Sequence, residues 1–255
     1  MMVALYRILF LAAFLAIWEA ASKAFDAAFF ISRPSLVAAS FLKMISNGSF
    51  FYNLSITATE AALGFLFGAI FGIVAGLLLG RLKLLADILD PFLITFYSLP
   101  KVALAPLFIL WFGIGIDMKV ILAAVTVFFL VFLNTYTGVR SVSPEQIAIL
   151  RLMGAGERAL ISKVIVPSAL TWVFTGLRLS VPYALIGAIV GEIIAANRGI
   201  GYILSDAAAQ FDTAAVFAAL IGIVVLSLIF NGIVRLAERA LMPWKAGEGT
   251  REISI

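Results

Sequence analysis

Three of the ionisable residues inside long apolar runs of this sequence are candidates for a function, because a charge there is costly and usually has a partner or a role. They are Lys101, Arg178 and Glu192. The chain contains no Cys and no His, which excludes thiol nucleophiles, imidazole bases and almost every zinc or haem site. Hydrolytic chemistry would therefore have to use carboxylates, Ser or Lys.

The composition indicates a membrane protein. Of the 255 residues, 64% are hydrophobic and 13% are charged, against roughly 45–50% and about 25% in soluble domains. We predict an all-α, polytopic helical membrane protein that forms a single transmembrane domain over residues 1–255. A β-barrel would require short segments of alternating hydrophobicity. Nothing in the sequence indicates nucleic-acid binding.

Six apolar stretches are long enough to cross a hydrocarbon core of about 30 Å, which needs about 20 helical residues. The predicted spans are Leu5–Ala21, Thr57–Gly80, Pro91–Phe112, Lys119–Val139, Ser168–Ala195 and Ala214–Val234. The first stretch could also be a signal peptide, because Ala and Ser follow its apolar run. Its length and the Trp18–Glu19 pair favour a span.

The distribution of Lys and Arg predicts the orientation of these spans. If the amino terminus is cytoplasmic, eleven of these cations lie on the cytoplasmic side and five on the other. We therefore expect both termini inside the cell. The outer segment between the first two spans is predicted to contain a short amphipathic helix that begins at Pro34.

The third predicted span is irregular and carries a candidate pathway residue. Pro91, Pro100 and Pro106 interrupt it, and Lys101 lies about 14 Å from its inner end at 1.5 Å per residue. A lysine at that depth should face a bundle interior or a wet cavity. The functional interpretation is a pathway or gate, and the alternative is a buried ion pair. The candidate partners for that pair are Asp87, Asp90 and Glu192.

The fifth predicted span carries two further candidates for the pathway or gate. Arg178 lies about 16 Å beyond Pro167, within partial snorkelling reach of the interface, which favours a structural role. Glu192 lies toward the outer end and is either structural or part of an outer mouth. The two are about 21 Å apart along one helix and cannot pair with each other.

The second predicted span has a glycine at every fourth position. The row consists of Gly64, Gly68, Gly72, Gly76 and Gly80. Small residues at this spacing allow helix backbones to approach closely. Because four residues advance a helix by about 400°, the row drifts by about 40° per step. We therefore expect packing against several crossing helices rather than one straight neighbour.

A mixed-charge helical segment at residues 143–167 separates the fourth and fifth predicted spans, on the expected cytoplasmic side. Ser143 and Pro144 supply a helix start signal. Gly154 then loosens the helix, and Pro167 is expected to end the segment. One apolar stripe at three-residue spacing comprises Ile147, Leu150 and Met153. Such a segment is either a docking element for a partner or a solvated loop helix.

The spacing within this segment resembles the EAA loop of ABC-importer permeases. Anchored on Gly154, the pattern places Val164 and Val166 at its aliphatic positions and Pro167 at its proline. The chain departs from the family at the Glu-Ala-Ala start, where it has Ala148, Ile149 and Leu150. A contact at that point should be more apolar than the family pattern suggests.

The resemblance extends over nearly the whole chain to the permeases of nitrate, sulfonate and taurine importers, which have relatives for thiamine precursors. It is carried by the stretches 98–106, 110–115, 134–138, 167–178 and 199–201, with Trp18, Pro34 and Glu192. The likeness implies the type I importer fold, with six spans per permease, in a bacterial inner membrane. It also implies ATP-driven alternating access for a small solute, an anion of that kind or a thiamine precursor.

The family further implies partners. The permease would form a homodimer in the lipid bilayer with two ATPase subunits, which bind the ATP and Mg²⁺, and a periplasmic or lipid-anchored protein would deliver the solute. The sequence has no phosphate-loop motif of its own, which agrees with a permease that is not an enzyme. The expected ATPase-coupling residues are Glu145, Ala148, Arg151, Gly154, Ala155, Gly156, Glu157 and Pro167.

Two other classes of protein remain as alternatives. An ion-coupled secondary transporter would have carboxylates near the membrane midplane and repeated broken helices. Only the third span is strongly broken, and the acidic residues lie near the span ends. An intramembrane hydrolase is suggested by residues 113–117, but an extra residue interrupts the catalytic pattern and no second catalytic Asp is evident.

Overall fold

The computed structural model describes residues 2–243, and in this part of the chain the regular structure is helical. The α-helices are Met2–Ala24 (α1), Ala28–Ile31 (α2), Pro34–Ser46 (α3), Ser49–Arg81 (α4), Lys83–Ser98 (α5), Ala105–Phe112 (α6), Ile116–Arg140 (α7), Pro144–Leu152 (α8), Glu157–Leu160 (α9), Val166–Ala195 (α10), Ile200–Ala209 (α11) and Thr213–Leu241 (α12). A 3₁₀ turn, Lys101–Leu104, leads into α6. Lys245 and Arg251, which were counted for the orientation, lie outside the described residues.

The expectation of six spans in an all-α protein is confirmed. Five helical stretches are long and apolar enough to cross a membrane, and a bent pair of helices makes a sixth. The pair consists of α5 and the following 3₁₀ turn with α6, and the two parts meet at 81°. The break falls at Leu99 and Pro100, both extended, because Pro100 lacks an N–H and restricts the residue before it.

Helix α7 is the centre of the bundle and packs mainly between α4 and α10. Its residues Leu122, Ala123, Val127 and Val131 are fully buried. On the α10 side, a Cβ on Gly187 would lie only 2.5 Å from the Cα of Ala123. Glycine on both neighbours therefore allows three helices to approach with backbones nearly in contact.

The glycine row of α4 packs along one helix, contrary to the expectation of several crossing partners. The nearest neighbours of a Cβ on Gly64, Gly68, Gly72, Gly76 and Gly80 all belong to α7. They lie at four-residue spacing themselves, at Ala123, Val127, Val131, Thr135 and Val139. The drift of about 40° per step is the same in both helices, so two helices that coil around each other stay in register.

Several predicted boundaries differ from the structure, and two of the differences have a clear local cause. Helix α4 begins at Ser49 rather than Thr57, because polar residues in its first turns lower the hydropathy without breaking the helix. Pro167 does not end its segment but lies in the first turn of α10. A π turn, Ile161–Ile165, precedes it, and the Val166 N–H donates to the Ile161 carbonyl five residues back. This wider turn shifts the hydrogen-bond register ahead of the proline, so the helix continues.

Candidate translocation and coupling sites

Lys101 lies at the break in the third span and is half-buried. Its ammonium group donates a hydrogen bond to the Tyr97 carbonyl. It also lies 4.7 Å from the ring centroid of Tyr97 and 5.0 Å from that of Phe129. The carbonyl is free to accept because the helix α5 ends at Ser98. A carbonyl and two aromatic faces stabilise the cation without neutralising it.

None of the acids proposed as partners for Lys101 pairs with it. Asp87 accepts from Arg140 at 3.4 Å, and Glu192 accepts from other groups. Among the described residues, no carboxylate lies within ion-pair distance of Lys101. The buried-pair alternative for this lysine is therefore wrong.

Lys101 borders a cavity of about 330 Å³ between the broken span, α7 and α10. Most of the lining is apolar, with tyrosines and one threonine hydroxyl beside the cation: Tyr97, Leu99, Pro100, Lys101, Val102, Thr126, Leu130, Tyr183 and Ile186. Pro100 belongs to this cavity, whereas Pro106 starts α6 and does not line it. The arrangement suits a small anionic group on an apolar body.

Arg178 does not reach the Lys101 cavity. Its guanidinium lies 3.2 Å from a carboxylate oxygen of Glu238 and ties α10 to α12. The Glu238 side chain is 11% exposed and that of Arg178 is 44% exposed, which agrees with a cation near a membrane interface. The structure therefore favours the structural role for Arg178 over the pathway role.

Glu192 is completely buried. It lines neither the Lys101 cavity nor a second cavity that Glu60 and Lys119 border. Its carboxylate accepts hydrogen bonds from the Thr57 hydroxyl at 2.7 Å and from the Gly201 N–H at 2.6 Å. Three successive N–H groups at the start of α11 donate to side chains of α4 and α10: Gly199 to Asn53, Ile200 to Thr57 and Gly201 to Glu192. Glu192 therefore caps α11, which favours the structural role over a place in an outer mouth.

Gly199 and Gly201 are required by this cap. Gly199 has φ +104°, and a Cβ there would lie 2.0 Å from an oxygen of Glu192. A Cβ on Gly201 would lie 2.6 Å from the Ile189 carbonyl oxygen. The GxG pattern therefore provides space for a carboxylate of the same chain rather than for a nucleotide.

Sequence reasoning missed a buried ion pair between α4 and α7. Lys119 donates to Glu60 at 2.6 Å, and the two side chains are 5% and 2% exposed. Glu60 was identifiable, because it is a carboxylate inside the second predicted span. Lys119 was placed at the outer end of the fourth predicted span and counted with the outer cations, since hydropathy alone cannot tell a span end from a buried position.

The segment 143–167 begins as its sequence predicts. Pro144 starts α8, and the Ser143 hydroxyl oxygen accepts from the Gln146 N–H at 3.4 Å. The same hydroxyl donates to the Glu145 carboxylate, which holds the pKa of that carboxyl below its ordinary value. The first turn of α8 therefore carries an ionised acid, which suits a helix amino terminus.

Gly154 ends α8 in a Schellman turn. It has φ +81°, its N–H donates to the Arg151 carbonyl, and the Ala155 N–H donates to the Leu150 carbonyl, both at 2.9 Å. Only a residue that tolerates the left-handed conformation fits there, which explains the glycine at this position of the pattern. The turn leaves Leu152 and Met153 projecting, 89% and 77% exposed.

The remaining coupling candidates surround this turn. Glu157 bridges two cations, accepting from Arg81 at 2.6 Å and from Arg151 at 3.0 Å. These pairs connect the turn to the end of α4 and are exposed, so each contributes little stability. Ala148 and Gly156 are exposed, and Ala155 is half-buried. Pro167 lies apart from them, beyond the π turn.

Comparison with known proteins identifies relatives over most of the chain. Residues 68–243 match the family model described as "binding-protein-dependent transport system inner membrane component". The chain is 37% identical over 212 residues to the aliphatic sulfonates transport permease protein SsuC of Bacillus subtilis, which covers 83% of this chain and 77% of that protein.

Two further relatives have names that specify other solutes. The formylaminopyrimidine transport permease protein ThiX of Halalkalibacterium halodurans is 32% identical, over 95% of this chain and 96% of that protein. The riboflavin transport system permease protein RibX of Chloroflexus aurantiacus is 36% identical, over 86% and 82%.

Solved structures share the fold. An inward-facing structure of the MetNI methionine ABC transporter matches with a TM-score of 0.64 at 19% identity, over 74% of this chain and 94% of that chain. An amino acid ABC transporter matches with a TM-score of 0.61 at 21% identity, over 78% and 98%. With the family match, these results identify the chain as a multi-pass permease of an ABC importer, and it belongs to the binding-protein-dependent transport system inner membrane component family.

Proposed function

We propose that this permease couples to ATPase subunits through residues 143–167, and that the projecting apolar tip of α8 is the point of contact. Leu152 and Met153 are almost fully exposed although the helix that carries them is capped and ordered at both ends. Large apolar side chains that a capped helix holds exposed are typical of a surface that docks into a hydrophobic groove of a partner protein. This exposure is the observation that carries the proposal.

Membership of the family supports the following proposed assembly. Two ATPase subunits bind the ATP and Mg²⁺, a second copy of this chain completes a homodimer in the lipid bilayer, and a periplasmic or lipid-anchored protein delivers the solute. The charge bias of the loops supports an orientation with both termini cytoplasmic, which brings α8 to the ATPase side. The whole chain then acts as one transmembrane domain, and it carries no catalytic residue or cofactor of its own.

The solute pathway passes Lys101 in this proposal, and the solute is a small organic anion. The support is a cation without a carboxylate partner among the described residues, in a cavity that is otherwise mainly apolar. A sulfonate fits that chemistry and is named for the Bacillus subtilis relative. The alternative solute is a formylaminopyrimidine, which carries no anionic group, because the relative named for it matches over nearly its whole length.

The substitution Leu152→Asp tests the coupling proposal. It places a charge at the centre of the expected apolar contact, so we expect the ATPase subunits to stop co-purifying with the permease. Solute-stimulated ATP hydrolysis and uptake should be lost, while the chain still inserts into the membrane. Because Leu152 is 89% exposed, the fold itself should be unaffected.

The matched control is Leu152→Met, which keeps an apolar side chain at the same position and should leave both activities unchanged. A Leu152→Asp variant that retains its ATPase subunits and transports normally would place the contact elsewhere.

A further inference from the structure

A cluster of three ionisable side chains is buried where α4, α7 and α10 meet. Glu60, Lys119 and Glu192 are 2%, 4% and 0% exposed. Lys119 donates to Oε1 of Glu60 at 2.6 Å, and its stem packs against Gly191, next to Glu192. The pathway cavity at Lys101 has none of these residues in its lining.

One oxygen in this cluster has no partner. Oε2 of Glu60 is buried and finds no hydrogen-bond donor among the described residues. Glu192 lies beside Glu60, because Thr57, one turn before Glu60 on α4, donates to the Glu192 carboxylate, and the Lys119 that pairs with Glu60 packs against Gly191. Two ionised carboxylates cannot donate to each other, but a carboxylic acid donates strongly to a carboxylate. A proton on either group would therefore satisfy the orphan oxygen.

The charges around the cluster favour that proton. Helix α4 contributes Glu60, α7 contributes Lys119 and α10 contributes Glu192, so two acids face one buried cation. Helix α11 contributes backbone N–H groups, and Arg198 of the preceding loop is exposed to solvent, which screens its charge. Neighbouring carboxylates in a buried site share a proton, because both cannot ionise without a large cost.

We propose that Glu60 and Glu192 together bind one proton, so that their cluster with Lys119 is neutral and holds the start of α11 against α4 and α10. Two hydrogen bonds anchor α11 directly: the Gly201 N–H donates to Glu192, and the Ile200 N–H donates to the Thr57 hydroxyl oxygen. A cavity of about 330 Å³ lined by Glu60, Lys119 and Arg198 gives the proton a route to solvent.

Infrared spectroscopy of the full-length chain in lipid bilayers tests the bound proton. At neutral pH we expect the carbonyl band of a protonated carboxyl group, and we expect its loss in Glu60→Gln and equally in Glu192→Gln. Asp206→Asn is the control, because that carboxylate is exposed and its removal should leave the band in place. Absence of the band in the unmodified protein, or its survival in both glutamine variants, would overturn the proposal.

Hydrogen exchange at residues 200–209 tests the anchoring of α11. Glu60→Gln leaves one carboxylate facing Lys119, so the cluster stays neutral, the cap of α11 is untouched and these amides should stay protected. Lys119→Met leaves an unbalanced charge and should lose the protection. If Glu60→Gln loses protection as fully as Lys119→Met, charge balance does not hold α11 and the proposal is wrong. Neither measurement involves transport, so failure here leaves the proposed function untouched.

Discussion

Lys101 contacts a carbonyl oxygen and two aromatic rings, whereas the buried Lys119 and the more exposed Arg178 each have a carboxylate partner. Lys119 pairs with Glu60, and Arg178 pairs with Glu238. A paired cation contributes to the fold, whereas an unneutralised cation beside a cavity is available to a solute. At the residue scale, the presence or absence of a carboxylate partner therefore separates structural cations from candidates for the solute pathway.

Replacing Lys101 is expected to reduce transport of an anionic solute. Lys101→Met removes a charged hydrogen-bond donor from a mainly apolar cavity, so uptake should fall by about tenfold to a hundredfold. The measurement is uptake of an alkanesulfonate by the assembled transporter with its binding protein in proteoliposomes. Lys101→Arg keeps the charge and should retain more activity than Lys101→Met. Equal uptake by Lys101→Met and the unmodified protein would remove this residue from the pathway.

Helices α4 and α7 pack through residues that repeat every four positions on both, with glycines on α4 and mostly valines on α7. A Cβ on Gly68 would lie 2.5 Å from the Ala124 carbonyl oxygen and 2.7 Å from Cβ of Val127. Association within lipid gains little from the hydrophobic effect, so close van der Waals packing has to supply the stability. At the element scale, this seam is the rigid part of the bundle.

A methyl group at this seam should therefore destabilise the protein. Gly68→Ala forces two backbones apart, and overpacking of this kind costs about 1–3 kcal/mol. The thermal midpoint of the purified chain in detergent should fall. Gly232→Ala is the matched control, because nothing lies within 4 Å of its Cβ position on α12. That control should be neutral or slightly stabilising, since alanine favours a helix over glycine. Equal shifts in both variants would show that the seam tolerates expansion.

The whole molecule leaves much of its broken span uncovered. Phe92, Phe96, Leu110 and Trp111 are large, apolar and exposed. Family membership excludes the hydrolase and the ion-coupled alternatives. In the proposed assembly, lipid or a second permease would cover this apolar surface.

Thiol labelling tests the orientation, and the absence of Cys makes every introduced cysteine unique. Lys43→Cys on α3 should react with a membrane-impermeant maleimide in spheroplasts. Gly156→Cys should react only after the membrane is opened, because its loop is proposed to face the cytoplasm. Both positions are exposed in the structure. The reverse pattern would invert the orientation and separate α8 from the ATPase side.

The sequence by itself determined the class of protein, the approximate spans and the start of α8, because these depend on local composition and short-range signals. It also predicted a broken third span from its prolines, since proline acts on its own backbone and that of its neighbour, but the structure has the break at Pro100 and leaves Pro91 inside α5. Which helix faces the glycine row, and which charges pair, depend on residues distant in sequence. Glu60 and Lys119 are 59 positions apart, and Thr57 and Glu192 are 135 apart. Only the tertiary structure decided that Glu192 caps a helix while Lys101 borders a cavity, because a buried charge takes its role from the groups packed around it.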